Sequence, residues 1–88
     1  MKTTLTHAKN PASGWDISAS ASADAAEKIA RAQILVGGAT QYDKTFTPPI
    51  NNWQQTLLQK GQYPGDNSSE LIVTGDKGDD TESEDAWS

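Results

Sequence analysis

Clusters of turn-forming residues cut this chain into pieces of roughly ten residues, and that spacing narrows the folds open to it. The breaks are Asn10-Pro11-Ala12-Ser13-Gly14, Gly37-Gly38, Pro48-Pro49, residues 61–67, and Gly75-Asp76-Lys77-Gly78-Asp79. Proline fixes φ, glycine reaches positive φ, and Asn, Asp and Ser side chains bond back to the backbone. Short segments at such spacing predict an all-β fold: a single sandwich of about seven short antiparallel strands.

The segments between the breaks carry the matching signals. Residues 2–7 alternate threonine with other residues, as an edge strand does. Residues 15–23 alternate cleanly: Trp15, Ile17, Ala19, Ala21 and Ala23 share one face, and Asp16, Ser18, Ser20 and Ser22 share the other. A period of two is the mark of a half-buried strand, and the small inner residues imply a close neighbour there. Residues 40–47 have strand character from Tyr42, Thr45 and Phe46. Leu71-Ile72-Val73-Thr74 is β-branched and apolar, the plainest strand of the chain.

Two stretches read both ways. Residues 25–35 have strong helix propensity, with Ser22 or Asp24 as a cap and Gly37-Gly38 as a stop. Read as a strand, the same stretch points Ala30, Ala32, Ile34 and Val36 inward and ends in a Gly-Gly hairpin. A helix over 24–36 would make the chain a small α+β domain instead. In residues 52–58, Trp53 and Leu57 fit one helical face and one strand face alike. From about residue 80 the acidic end returns as a last strand or stays frayed.

Composition bounds the size and chemistry. The chain has 88 residues, 34% of them apolar, and alanine supplies 11 of those positions. One domain is the limit, and a chain this small buries only about 60–65% of its unfolded surface. There is no cysteine and a single histidine, His7. Disulfides, thiolate metal sites and thiol chemistry are therefore excluded. No apolar run approaches a membrane span, and the first residues carry no apolar secretory core. The net charge of −5 argues against nucleic acid as a partner, since binding it draws on clustered Lys and Arg. Acidic residues concentrate at the end, with six between Asp76 and Asp85.

The order of these features resembles bacterial immunoglobulin-like domains. Asn10-Pro11-Ala12-Ser13-Gly14 is similar to the Pro–small–Gly entry of that family. The alternating strand to Ala23, followed by Asp24, is similar to its second strand. The stretch from Ile29 through Gly37-Gly38 resembles its third strand and Gly hairpin. Residues 61–67 and then Leu71-Ile72-Val73-Thr74-Gly75-Asp76-Lys77-Gly78 resemble its penultimate strand with flanking turns. The resemblance covers about residues 8–85. It implies strands in both ambiguous stretches, a non-catalytic binding role, and an extracellular or cell-surface setting.

Candidate sites follow from residue chemistry. No nucleophile stands at a readable spacing from a base, so no enzyme is expected and His7 reads as an ordinary surface residue. Tyr42, Tyr63 and Trp87 are the aromatics able to form a binding surface for a protein or glycan, whereas Trp15 and Trp53 read as core. Tyr63 beside Pro64-Gly65 also suits a tyrosine corner. No cofactor is required. Calcium is the one ion the sequence can accommodate, through Asp76, Asp79, Asp80, Glu82 and the distant Asp24 if two loops meet. The alternative role is a building block that self-assembles through edge strands. Residues 2–7 and 39–46 are the candidate edges.

Overall fold

Residues 29–36 form a strand, and the reason lies outside that segment. Ile29, Ala32, Ile34 and Val36 are each no more than 1% exposed, filling the space between two sheets that a helix at this place would leave open. The structure is a computed structural model and describes residues 1–10, 14–60 and 67–87. It contains seven strands: β1 (Lys2–Asn10), β2 (Gly14–Ser22), β3 (Ile29–Val36), β4 (Ala39–Ile50), β5 (Asn52–Lys60), β6 (Asn67–Gly75) and β7 (Asp80–Trp87). The described residues include no helix. The acidic end is thus a strand, and the stretch containing Trp53 and Leu57 is one too.

The strands form two antiparallel sheets, ordered β1-β2-β5 and β4-β3-β6-β7. The β3–β4 hairpin turns on Gly37 and Gly38 alone, with Val36 opposite Ala39. Both glycines have positive φ, 60° and 83°, as a type I′ turn demands. In a constant-type immunoglobulin sandwich the fourth strand pairs with the fifth. Here β4 pairs with β3 instead, so the sheet that holds β3, β6 and β7 is the four-stranded one.

The core lies between the sheets. Ile17, Ala19, Ala21 and Trp53 come from the small sheet, and Ile29, Ala32, Ile34, Val36, Leu71 and Val73 from the large one. Burying each Ile or Leu contributes about 1.5–3 kcal/mol. The alternation of β2 holds as the sequence predicts, except that Trp15 is half-buried. In β3 the inward set begins at Ile29 and not Ala30, because the ladder shifts register between Ile29 and Arg31. A bulge of this kind re-aims the side chains on one side of it.

The sandwich is closed on one side only. There β1 lies against β7, with the Thr3 and Ser83 hydroxyls 2.5 Å apart and His7 Nδ1 2.5 Å from Asp85 Oδ2. On the other side β5 and β4 are the sheet edges, bridged by Trp53 and Tyr42.

Candidate functional site

A sandwich with two open sheets has four edge strands, each with a row of backbone N–H and C=O groups that no neighbour satisfies. Three of the four carry a guard. β1 lies against β7, as its side-chain bonds to Ser83 and Asp85 record. β7 holds Asp80, Glu82, Glu84 and Asp85 within eight residues. β4 carries Asp43, Lys44, Pro48 and Pro49, and its ladder to β3 shifts register twice. Charge, proline and bulges are the ordinary means of blocking edge pairing.

β5 has none of these before its last residue, Lys60. Its residues from Asn52 to Gln59 include no charge and no proline. Its ladder to β2 runs without a shift from Ser22↔Asn52 to Trp15↔Gln59. Over these residues the strand is uncharged, unshifted in register and paired on one side only. Its inward side chains are Trp53, which is 8% exposed, and the half-buried Gln55 and Leu57. The candidate edges named from sequence were β1 and β4. Both are indeed edges, but β5 is the unguarded one, and no local signal in residues 52–60 says so.

Opposite β5, β4 presents Tyr42, Lys44 and Phe46 on the sheet's inner side. Lys44 stands across from the fully buried Ala32, and directly opposed residues share a face. Tyr42 and Phe46 are half-buried and Lys44 is exposed. The Trp53 indole N–H donates to the Tyr42 hydroxyl at 3.3 Å, and the two rings are 5.7 Å apart. Tyr42 is thus packed against the core rim rather than free for sugar stacking. Lys44 Nζ sits 5.7 Å from the Phe46 ring centroid and makes no ion pair among the described residues. Tyr63 lies outside the described residues. Trp87 closes β7 opposite Asn67, and nothing is described of its side chain.

The five carboxylates named as calcium ligands do not converge, although the two loops do meet. Asp76 N–H donates to the Lys28 carbonyl, and Lys28 N–H donates to Asp76 Oδ1 at 3.1 Å. Asp24 Oδ1 accepts from the Ala26 and Glu27 amides at 2.9 Å, and its other oxygen meets the Met1 ammonium at 3.0 Å. These bonds, the Met1 one foremost, hold the Asp24 carboxyl below its ordinary value. Asp80 accepts from the Thr74 hydroxyl at 2.7 Å. Asp79 and Glu82 are exposed, on the hairpin turn and on β7. Among the described residues no group of three or more His, Asp or Glu is placed to hold a metal ion.

His7 is not an ordinary surface residue. It is half-buried, bonded to Asp85, and edge-on to Trp15 at 5.4 Å. Ser69, opposite Asp85 on β6, is 4% exposed, so serine, histidine and aspartate types share this corner. Its hydroxyl has no hydrogen-bond partner among the described residues, so no serine–histidine contact exists there. A nucleophile needs its base within hydrogen-bond reach.

On the solvent side of the large sheet, Arg31 holds Asp43 through two bonds, Nε to Oδ1 at 2.9 Å and Nη2 to Oδ2 at 2.6 Å. The hydrogen-bonded guanidinium keeps the Asp43 carboxyl below its ordinary value. No helix among the described residues is long and apolar enough to cross a membrane.

Fold and site together define a cysteine-free seven-stranded antiparallel sandwich with one unguarded edge strand. Comparison with known proteins finds no matching family model, no matching curated protein and no matching solved structure.

Proposed function

We propose that this chain is a non-catalytic interaction module whose edge strand β5 pairs with an extended segment of a protein partner. The observation that carries this reading is that β5 alone among the four edges lacks charge, proline and bulge from Asn52 to Gln59. Main-chain bonds to such an edge supply affinity, and pockets for alternate side chains supply specificity. A protein partner is favoured over a glycan because Tyr42 is engaged by Trp53 and a bare ladder edge suits a peptide backbone. The seven antiparallel strands and the Gly-Gly hairpin support a bacterial immunoglobulin-like relationship as part of the same proposal.

Photo-crosslinking tests it. A photoreactive residue replaces Gln55 on β5, and in a second protein Gln41 on β4, in extracts of the source cells. Adducts from position 55 that map to one peptide segment uphold the reading. Adducts from position 41 alone overturn it.

A further inference from the structure

The unequal sheets say what kind of segment fits. With β1 lying against β7, the three-stranded sheet ends one strand short on the far side. The large sheet, one strand wider, therefore projects past β5 on this side, and β4 is only partly roofed, with Trp53 reaching over to Tyr42. Its inner side chains are incompletely covered: Tyr42, touching Trp53, and Phe46 are half-buried, and Lys44 is exposed. A strand added to β5 would lie over β4 at the usual sheet separation of about 10 Å.

We infer that β5 receives a single extended protein segment that becomes the fourth strand of the small sheet, roofs β4, and sets a carboxylate against Lys44. This rests on the edge-strand reading above. Side chains at alternate positions of the incoming segment face Tyr42, Lys44 and Phe46. Over the two aromatic rings they are apolar, since that surface is otherwise wetted. Over Lys44 the segment carries Asp or Glu, because an ammonium roofed by an apolar side chain loses its water without compensation. A basic residue at the same place is excluded by like charge.

A second copy paired antiparallel through its own β5 does not fit. Pairing β5 with β5 of another copy would bring the other copy's large sheet into the space that β4 already fills. The overhang thus serves as the missing guard of β5: it blocks sheet-to-sheet growth and admits a lone strand. Edge strands without any such device are aggregation sites.

The test uses the isotope-labelled chain and two synthetic peptides of about eight residues, the length of an ordinary strand. One alternates threonine with valine, glutamate and valine. The other has lysine in place of the glutamate. Amide shifts on titration should fall on β5 and on Lys44, with the glutamate peptide binding about ten-fold tighter, a difference of about 1.4 kcal/mol. Lys44→Ala should abolish the preference and Lys44→Glu should reverse it. Lys44 is exposed, so neither change threatens the fold. Equal binding of both peptides at β5 overturns the carboxylate pairing and leaves the edge-strand reading standing. No shift on β5 from either peptide at millimolar concentration overturns both. A concentration-dependent dimer with newly protected β5 amides overturns the single-segment occupant.

Discussion

The Trp53 indole donates to the Tyr42 hydroxyl across the open side of the sandwich, 3.3 Å from nitrogen to oxygen. The bond joins the edge of one sheet to the edge of the other, and the two rings pack at 5.7 Å with a 39° tilt. Both the hydrogen bond and the ring contact hold β4 and β5 in place. Tyr42→Phe keeps the ring and removes the acceptor, so about 1 kcal/mol of unfolding free energy is expected to go. Trp53→Ala removes core volume as well and should cost about 3–5 kcal/mol. In a Trp53→Phe background the Tyr42→Phe effect should shrink toward zero, which a double-mutant cycle in urea will read. An undiminished Tyr42 effect there would show that its hydroxyl has another partner.

On the closed side, the His7–Asp85 bond spans 78 positions of sequence and links β1 to β7. A carboxylate only accepts, so the imidazole carries its hydrogen on Nδ1. The pair is partly exposed, 29% for His7 and 20% for Asp85. A hydrogen bond to a charged group is worth about 1.5–3 kcal/mol when buried, and solvent reduces that to about 1 kcal/mol here. His7→Ala and Asp85→Asn should each lower stability by about that amount, and the double variant by no more than the larger single change. A long-range nitrogen spectrum should find the Nδ1–H tautomer. Additive losses, or the Nε2–H tautomer, would remove this contact as a fastening of β1.

Much of this fold can be read along the chain, and the failures share one physical cause. Turn chemistry placed the Gly37-Gly38 hairpin, and period two placed β2, because both signals are local. The strand at 29–36 had to be chosen against its own helix propensity, which packing between two sheets overrides. Ile29 replaces Ala30 as the inward residue because of a bulge, and a bulge is set by the neighbouring strands rather than by residues 29–31. His7 read as a surface residue since its partner, Asp85, is at the far end of the sequence. The unguarded edge was missed for the same reason. Residues 52–60 look the same in a central strand as at an edge, and only the sheet order assigns them.

The Arg31–Asp43 pair gives a pH-dependent signature. Hydrogen bonds from Arg31 hold the Asp43 carboxyl below its ordinary value of 3.8, so the folded chain favours the ionised form. Its contribution to stability is present above that value and is lost as pH falls through the lower folded-state value. In Arg31→Gln the Asp43 carboxyl should titrate nearer to 3.8, as carboxyl carbon shifts will follow. The Asp43→Asn variant should lose less stability than the unaltered chain between pH 4 and pH 2, since one of the carboxylates driving acid unfolding is gone. The pair is solvent-exposed, so its effect at neutral pH should be small and should fade in salt. An Asp43 titration unmoved by Arg31→Gln would mean that the two bonds are not kept in solution.

Gly75 and Glu27 should show a reversal of sign. The Glu27 side chain crosses the face of Gly75, and a Cβ there would overlap its carboxylate and Cγ. Gly75 ends β6 opposite Ile29, and its φ is not positive, so the backbone itself accepts alanine. In the unaltered chain, Gly75→Ala must push Glu27 off the turn that carries the Asp76–Lys28 bonds, at a cost of about 1 kcal/mol. In a Glu27→Ala background the obstacle is gone. The same substitution should then stabilise the fold by about 0.4–1 kcal/mol, because alanine restricts the unfolded chain. Urea unfolding of the four proteins reads the coupling directly. Equal destabilisation in both backgrounds would place the strain in the β6 backbone rather than in the Glu27 side chain.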